Sequence, residues 1–221
     1  MKYFDREFLT FFEELAQNNN SEWFDENRKR YEKCVKMPFR NFTDLMIDKI
    51  RTEEPYLNIT AKEAVFRINK DIRFSRDKTP YNTHAAANIS KEGRKSKECP
   101  GFYFQFGPEK VKVLGGTYEV EKENLRKIRI HIEDYPEKLE DALSDDSFRQ
   151  KYGELQGERN KVLPKEFKPL ADTYPIIANK QFYFSAELDP EIIFEQDLPD
   201  LLMEYYHAGK DVNHFLAEAL R

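Results

Sequence analysis

Glycine is scarce in this chain of 221 residues, with eight in all, and the phosphate-binding patterns built from glycine are missing. There is no GxGxxG after a predicted strand and no GxxxxGK[ST], which argues against a dinucleotide site or a P-loop. The chain also lacks HExxH and cysteine pairs at zinc spacing, so we predict no metal site. A GxSxG nucleophile elbow is missing as well, and no motif specifies a cofactor.

Long apolar runs are also missing, because charged residues interrupt each of them within a few positions. We therefore expect no association with a membrane. Asp5 and Glu7 stand where a signal peptide would need an apolar stretch. The two cysteines, Cys34 and Cys99, are too few for a disulfide framework. These features predict a reduced, cytoplasmic and hence intracellular protein.

Positive charge is not in excess, since 36 Lys and Arg face 41 Asp and Glu, for a formal net charge of −5. Binding to double-stranded nucleic acid draws on a positive surface that releases counterions, so we do not expect it here. Aromatic residues, in contrast, are abundant, with 18 Phe and 12 Tyr. A chain of this length and composition can bury a sizeable core and is expected to fold.

The apolar pattern predicts one α+β domain over residues 1–221, with a mainly antiparallel sheet packed against N-terminal and C-terminal helices. Helical spacing predicts three helices in the first third, with Ser21 as the cap of the second. Alternation with a period of two predicts strands at 66–75, 83–90, 102–106, 111–114 and 181–188. Gly115 and Gly116 are expected to end the fourth strand, and Gly209 to interrupt the last helical run.

The segment RINKDIRFSRDKTPY, residues 67–81, concentrates polar groups on its predicted strand. Residues two apart on a strand share a face, so Arg67, Asp71 and Arg73 should project together. Guanidinium groups with a carboxylate between them leave donors free for a planar anion. The sequence thus predicts a phosphate or carboxylate pocket formed by Arg67, Asp71, Arg73, Ser75, Lys78, Tyr81 and Arg129. The alternative is a self-neutralising ladder of salt bridges on a half-exposed face.

Arg129 joins this predicted pocket because it lies on the inward face of its helix, beside Leu125 and Ile132. A buried arginine needs a carboxylate or an anion. The alternative is a snorkelling side chain whose head reaches water. His84 follows Tyr81 closely and is either a proton carrier near the pocket or a structural or solvated histidine.

Two classes of function remain open from these residues. In the first, the protein binds a small anionic ligand, and if it is an enzyme, Asp71 or Asp77 is the candidate general base. In the second, the protein is an interaction module without catalysis. Its aromatic and charged sheet face, which includes Tyr103, would dock a protein or stack single-stranded nucleic acid. The oligomeric state cannot be read from the sequence.

Three motifs carry a resemblance to a known family. They are NNSEWF at residues 19–24, KDIRFSRDKTPY at 70–81, and GGTY followed by LRKIR between 115 and 129. With them the chain resembles a widespread family of conserved hypothetical proteins, found mainly in bacteria and fungi, that has an RFSxDKxPY signature and counts as a domain of unknown function. The resemblance implies a single intracellular α+β domain and carries over no activity. Lys70 departs from the arginine common in that motif, and the stretch after Leu155 follows the pattern loosely.

Overall fold

The computed structural model describes residues 2–221, in which eight α-helices and a four-stranded antiparallel sheet form an α+β fold with helices at both ends of the chain. This confirms the predicted fold class. The helices are α1 (Arg6–Gln17), α2 (Ser21–Tyr31), α3 (Met37–Arg51), α4 (Ala61–Ala64), α5 (Lys122–Asp134), α6 (Pro136–Ser144), α7 (Asp146–Tyr152) and α8 (Leu198–Ala219). The strands are β1 (Ala85–Ile89), β2 (Phe102–Phe106), β3 (Val111–Thr117) and β4 (Phe182–Leu188), and they lie in this order across the sheet.

The N-terminal helices follow the predicted spacing, with a correction at one cap. Asn20, and not Ser21, caps α2, because its side chain accepts a hydrogen bond from the backbone N–H of Trp23. Asn and Ser cap helices about equally well, so the sequence pattern does not separate these neighbours. A single π-helical turn at Glu32–Lys36 joins α2 to α3, and Pro38 lies in the first turn of α3.

The strand predicted at 66–75 is wrong. This segment is irregular and contains one isolated bridge, of Asn69 with Tyr81, while a second, of Val65 with Ala87, directly precedes it. The cause is local, because the carboxylate of Asp71 accepts a hydrogen bond from the backbone N–H of Arg73. Side chains that bond to nearby backbone groups in this way compete with a sheet ladder.

Two predictions about glycine are also wrong. Strand β3 continues through Gly115 and Gly116 to Thr117, and α8 continues through Gly209. A Cβ atom would lie 2.2 Å from the ring of Phe184 at Gly115 and 2.4 Å from it at Gly209. These glycines therefore let backbone approach an aromatic ring closely, and they do not end the elements in which they lie.

The chain divides into two compact units, and each consists of three separate stretches. The first unit takes in the chain up to Arg94, together with Tyr103–Val113 and Glu187–Met203. The second contains Lys95–Phe102, Leu114–Ala186 and Glu204–Arg221. Because neither unit is one continuous stretch, the division does not separate two consecutive domains, and the single domain over residues 1–221 stays a prediction.

The core of the first unit is a cluster of phenylalanine rings. Phe106 on β2 is fully buried. Its ring lies 5.4 to 6.5 Å, centroid to centroid, from five other rings, those of Phe4, Phe8, Phe39, Phe42 and Phe104. Aromatic pairs at these distances add to the stability that comes from burying apolar area. The cluster thereby attaches α1 and α3 to β2.

The core of the second unit centres on Phe184 of β4. Its ring packs edge-on against Phe148 at 5.2 Å and Tyr152 at 4.6 Å. The Tyr152 hydroxyl donates to the backbone carbonyl of Tyr205 at 2.8 Å, which satisfies a buried polar group. None of the helices in residues 2–221 is long and apolar enough to cross a membrane.

Candidate functional site

Residues 68–82, here called the motif loop, form a closed loop in the first unit. The backbone N–H of Lys70 donates to the carbonyl of Pro80 at 2.8 Å, and that of Asn82 donates to Ile68 at 2.7 Å. These two bonds hold the ends of the loop together. Compact surface loops with adjacent ends are frequently functional.

Side chains within the motif loop tie its two arms together. The Lys70 ammonium donates to the Asp77 carboxylate and to the Thr79 hydroxyl, each at 2.8 Å. The Lys78 ammonium donates to the carbonyl of Ile72 at 2.9 Å. Bonds from Lys70 and from the Thr79 backbone lower the pKa of Asp77 below its ordinary value. The loop is thus held in one shape by its own polar groups.

Asp71 and Arg73 pair directly, although the strand on which they were predicted to share a face with Arg67 is absent. The guanidinium of Arg73 donates from Nε at 2.9 Å and from Nη2 at 2.6 Å to the two oxygens of Asp71. These bonds lower the pKa of Asp71 to about 2, and both side chains are exposed. A carboxylate whose pKa is lowered in this way is a weak base. The pKa of Asp77 is lowered as well, so the same holds for Asp77. Ser75 is exposed as well.

Tyr81 lies at the base of the motif loop and is 5% exposed. Its ring stacks on Phe24 of α2 with the centroids 4.2 Å apart. The side chain of Asn19, between α1 and α2, binds the backbone of Tyr81 twice. It donates to the carbonyl at 2.9 Å and accepts from the N–H at 3.0 Å. Two motifs noted in the sequence, NNSEWF and the segment ending in PY, are therefore in direct contact.

Replacing Asn19 by alanine is expected to lower the free energy of unfolding by about 1–3 kcal/mol, because it leaves both backbone groups of Tyr81 without their partner. Urea denaturation followed by circular dichroism measures the change. Asn18→Ala is the control, since the Asn18 side chain donates to the backbone carbonyl of Glu14 on an exposed surface. Its effect is expected within about 0.5 kcal/mol. Equal losses for the two variants would contradict the role of Asn19.

Arg129 belongs to the second unit, on α5. It is 4% exposed, so it lies inward as predicted and does not snorkel to water. Its Nε donates to the carbonyl of Ile177 at 2.8 Å and its Nη2 to that of Asn179 at 3.2 Å. Burial lowers the pKa of this guanidinium. Backbone carbonyls thus supply partners for Arg129, and its contribution to an anion site stays a prediction.

Tyr103, which the sequence offers as part of a docking face, is half-buried on β2. Its hydroxyl donates to the side chain of Gln105 at 3.0 Å, and its ring packs on Phe66 at 5.9 Å. Burial raises the pKa of Tyr103 to about 12. Two other aromatic residues of this unit are strongly exposed, Tyr56 at 89% and Phe74, at the tip of the motif loop, at 95%.

Two hollows of the first unit meet at His84. The outer hollow has a volume of about 270 Å³ and is polar. Its lining is Ala16, Thr83, His84, Gln105, Gly107, Pro108, Glu109, Lys110 and Lys112. The inner hollow, of about 20 Å³, is lined by His84 together with Arg67, Asn82 and Tyr31 among others. His84 and the predicted residue Arg67 therefore share a cavity.

The outer hollow is lined by two lysines, Lys110 and Lys112, and by one carboxylate, that of Glu109. Lys110 and Lys112 share the carboxylate of Glu187, at 2.7 and 3.2 Å, so this trio carries one net positive charge. Burial and the charges of Lys70 and Lys112 lower the pKa of His84 to about 4. The imidazole is therefore neutral at pH 7, with one nitrogen as a donor and the other as an acceptor.

The sequence motifs do not indicate Lys110 and Lys112 as site residues. Their alternation at the start of β3 places Lys110 and Lys112 on one side of the chain, which sequence spacing can indicate. Nothing in the sequence shows that this side faces His84. Within residues 2–221 no group of three or more His, Cys, Asp or Glu side chains is arranged to hold a metal ion.

The chain is an α+β protein with the motif loop and a polar hollow in its first unit. Lys70 of the loop acts electrostatically on His84 of the hollow. A family model described as "Conserved hypothetical protein (DUF2461)" matches residues 7–215, and the chain belongs to this family. The match includes both the motif loop and the outer hollow. No curated protein and no solved structure matches the chain.

Proposed function

We propose that the first unit binds a small ligand carrying a phosphate or carboxylate group in the outer hollow. The observation that carries this proposal is the position of His84, a half-buried imidazole in a polar cavity where the charges that shift its pKa are those of two lysines. An anion placed in this hollow would interact favourably with the charges of the lysines that act on His84.

The remaining lining supports the proposal because it offers hydrogen-bond donors. Thr83 has a hydroxyl, Gln105 has an amide, and Lys110 and Lys112 have ammonium groups. A volume of about 270 Å³ is below that of most drug-sized pockets and suits a small ligand. Glu109 is an acidic member of the lining, and it favours an occupant small enough to leave this carboxylate in water.

The predicted ligand residues have different parts in this proposal. Arg67 adds positive charge on the inner side of His84. Asp71, Arg73, Ser75 and Lys78 lie on the motif loop, whose Lys70 acts electrostatically on His84. They could contact the part of a larger ligand that extends out of the hollow. Tyr81 holds the base of the loop against α2 by stacking on Phe24.

Replacing Lys112 by methionine tests the proposal. In the wild-type protein, millimolar phosphate or sulfate is expected to raise the melting temperature, because ligands that bind the folded state stabilise it. Lys112→Met removes a charged partner and is expected to weaken the binding by about 10- to 100-fold. Titration calorimetry and the imidazole NMR signal of His84 measure the change.

Lys97→Met is the matched control, because it makes the same change of net charge in the second unit, where Lys97 pairs with Glu119. Its affinity for phosphate is expected to equal that of the wild type. The signal of His131, also in the second unit, should not move when phosphate is added. The proposal fails if phosphate, sulfate and small carboxylates leave the His84 signal and the melting temperature unchanged.

A second candidate function is docking of a partner protein through the tip of the motif loop. The exposed ring of Phe74 supports it, with the guanidinium of Arg73 lying 5.9 Å from the ring centroid. Exposed aromatic and arginine side chains are enriched among residues that contribute most to protein interfaces. If the tip docks a partner protein, crosslinking captures that partner with the wild-type protein and not with Phe74→Ala. Phosphate binding is expected to be unchanged in this variant.

A further inference from the structure

The tip of the motif loop carries the most exposed large apolar side chain of residues 2–221, that of Phe74, at 95%. A single exposed apolar side chain is common on protein surfaces and is not by itself a site. The chemistry of the loop around the ring therefore decides what the ring can bind.

The motif loop has an excess of positive charge in a chain whose formal net charge is −5. Residues 68–82 contain four cationic side chains and two carboxylates, which gives the loop a net charge of +2. Two of the cations form ion pairs with the two carboxylates of the loop itself. The other two, Arg76 and Lys78, have no carboxylate partner within residues 2–221 and are exposed. The loop thus has two positive charges free to contact a polyanion.

The ring of Phe74 has room for a planar group. The guanidinium carbon of Arg73 lies 5.9 Å from the ring centroid, and two hydrogen bonds to Asp71 hold this guanidinium in place. Because the ring is still 95% exposed, the guanidinium covers little of it. The bases of single-stranded nucleic acid stack on such rings, and arginine adds cation–π attraction.

The loop holds this arrangement before any ligand binds. Its ends are joined by backbone hydrogen bonds, from Lys70 to Pro80 and from Asn82 to Ile68. The Lys70 ammonium also connects its two arms through Asp77 and Thr79. A rigid loop loses little conformational entropy on binding, which lowers the cost of association.

We propose that the motif loop binds single-stranded nucleic acid, with one base stacked on Phe74 and the neighbouring phosphates contacting Arg76 and Lys78. This site is separate from the outer hollow and does not require the anion-binding function proposed there. Double-stranded nucleic acid is not its ligand, because paired bases are stacked on one another and are not available to the ring.

A membrane and a partner protein suit the tip less well, because both need more apolar area than the loop exposes. Phe74 is the one large apolar side chain exposed in residues 68–82, since Ile72 is half-buried and Tyr81 is buried. Stable membrane attachment takes more than one anchoring element, and a stable protein interface buries about 800 Å² on each partner. One base with its phosphates needs only a ring and nearby cations.

Fluorescence anisotropy with a labelled oligothymidylate of about eight nucleotides measures this binding. Two neutralised phosphates predict a slope of about −1.4 for the logarithm of the affinity against that of the salt concentration. The affinity is therefore expected to fall about sevenfold between about 50 and 200 mM salt. A G·C-rich duplex of the same length is expected to bind more weakly than the single strand.

Phe74→Ala is expected to weaken oligothymidylate binding by about 5- to 150-fold, which corresponds to the stacking of one base. Phe74→Trp keeps a ring and is expected to keep the binding. Tyr56→Ala is the matched control, because it removes a ring that is 89% exposed in the same unit but outside the motif loop. An abasic oligonucleotide, which has the phosphates without the bases, is expected to bind the wild type and Phe74→Ala equally weakly.

Arg76→Met tests the contact with phosphate, and it is expected to reduce the salt slope by about 0.7. Arg126→Met is its control, because it makes the same change of net charge in the second unit, where Arg126 pairs with Glu166. This control is expected to keep the slope of the wild type.

The inference is overturned if the oligothymidylate does not bind, if it binds Phe74→Ala as tightly as the wild type, or if the abasic strand binds the wild type equally well. Vesicles with phosphatidylserine, or a crosslinked protein, that bind through Phe74 in place of the oligonucleotide would also overturn it. Phosphate binding in the outer hollow is expected to be unchanged in Phe74→Ala, so failure of this inference and failure of the proposed anion site are distinguishable.

Discussion

Replacing Gly116 by alanine is expected to lower the free energy of unfolding by about 2–6 kcal/mol, because backbone strain and a steric clash act together. Gly116 has a φ of +86°, a conformation that residues with a side chain rarely adopt. Its Cβ would lie 2.1 Å from the backbone oxygen of Phe182. Because that oxygen belongs to β4, it can move away only if the strand shifts. Denaturant titration followed by circular dichroism measures the loss.

Gly153 separates the two causes. Its φ is +78°, close to that of Gly116, but a Cβ added there would meet no atom within 4 Å. Gly153→Ala therefore carries the strain without the clash and is expected to cost about 1–3 kcal/mol. Both residues lie in the second unit, so the same transition reports on both. If Gly116→Ala cost no more than Gly153→Ala, close packing of β3 on β4 would not be its cause.

Replacing Phe106 by alanine is expected to lower the free energy of unfolding by about 3–5 kcal/mol, which is usual for removing a fully buried phenylalanine. The ring contacts five other phenylalanine rings of the first unit, which come from α1, α3, β2 itself and the residues before α1. Such a rigid set of rings cannot collapse fully into the space left behind, so a cavity remains. Thermal and urea denaturation measure the loss.

Phe74→Ala is the matched control for Phe106→Ala, because it deletes the same ring where that ring is 95% exposed. Its effect on stability is expected within about 0.5 kcal/mol. A loss of several kcal/mol in Phe74→Ala would mean that the tip of the motif loop packs against the protein, and it would remove the support for docking through this tip.

The helices and most strands could be predicted because their signals are local. Periodic burial of Phe8, Phe12 and Leu15 specifies α1, and alternation specifies β2. The prediction that Gly115 and Gly209 end their elements is wrong because the space around a glycine depends on residues far away in sequence. Gly115 and Gly209 accommodate the ring of Phe184, and no spacing rule connects these three positions.

The candidate site could be predicted in part for the same reason. The pairing of Asp71 with Arg73 depends on neighbours in sequence and is present. The inward position of Arg129 follows from helical spacing and is confirmed by its burial. Its carbonyl partners, at Ile177 and Asn179, are not readable from the sequence. The outer hollow was missed because its lysines and His84 come together through the sheet.

The bonds between Asn19 and Tyr81 give the protein a natural reporter group. The N–H of Tyr81 is protected by a side chain 62 residues earlier in the chain. That proton can exchange with solvent when the turn between α1 and α2 opens or when the motif loop detaches from it. Deuterium uptake at this one amide thereby reports how firmly the motif loop is attached to the turn between α1 and α2.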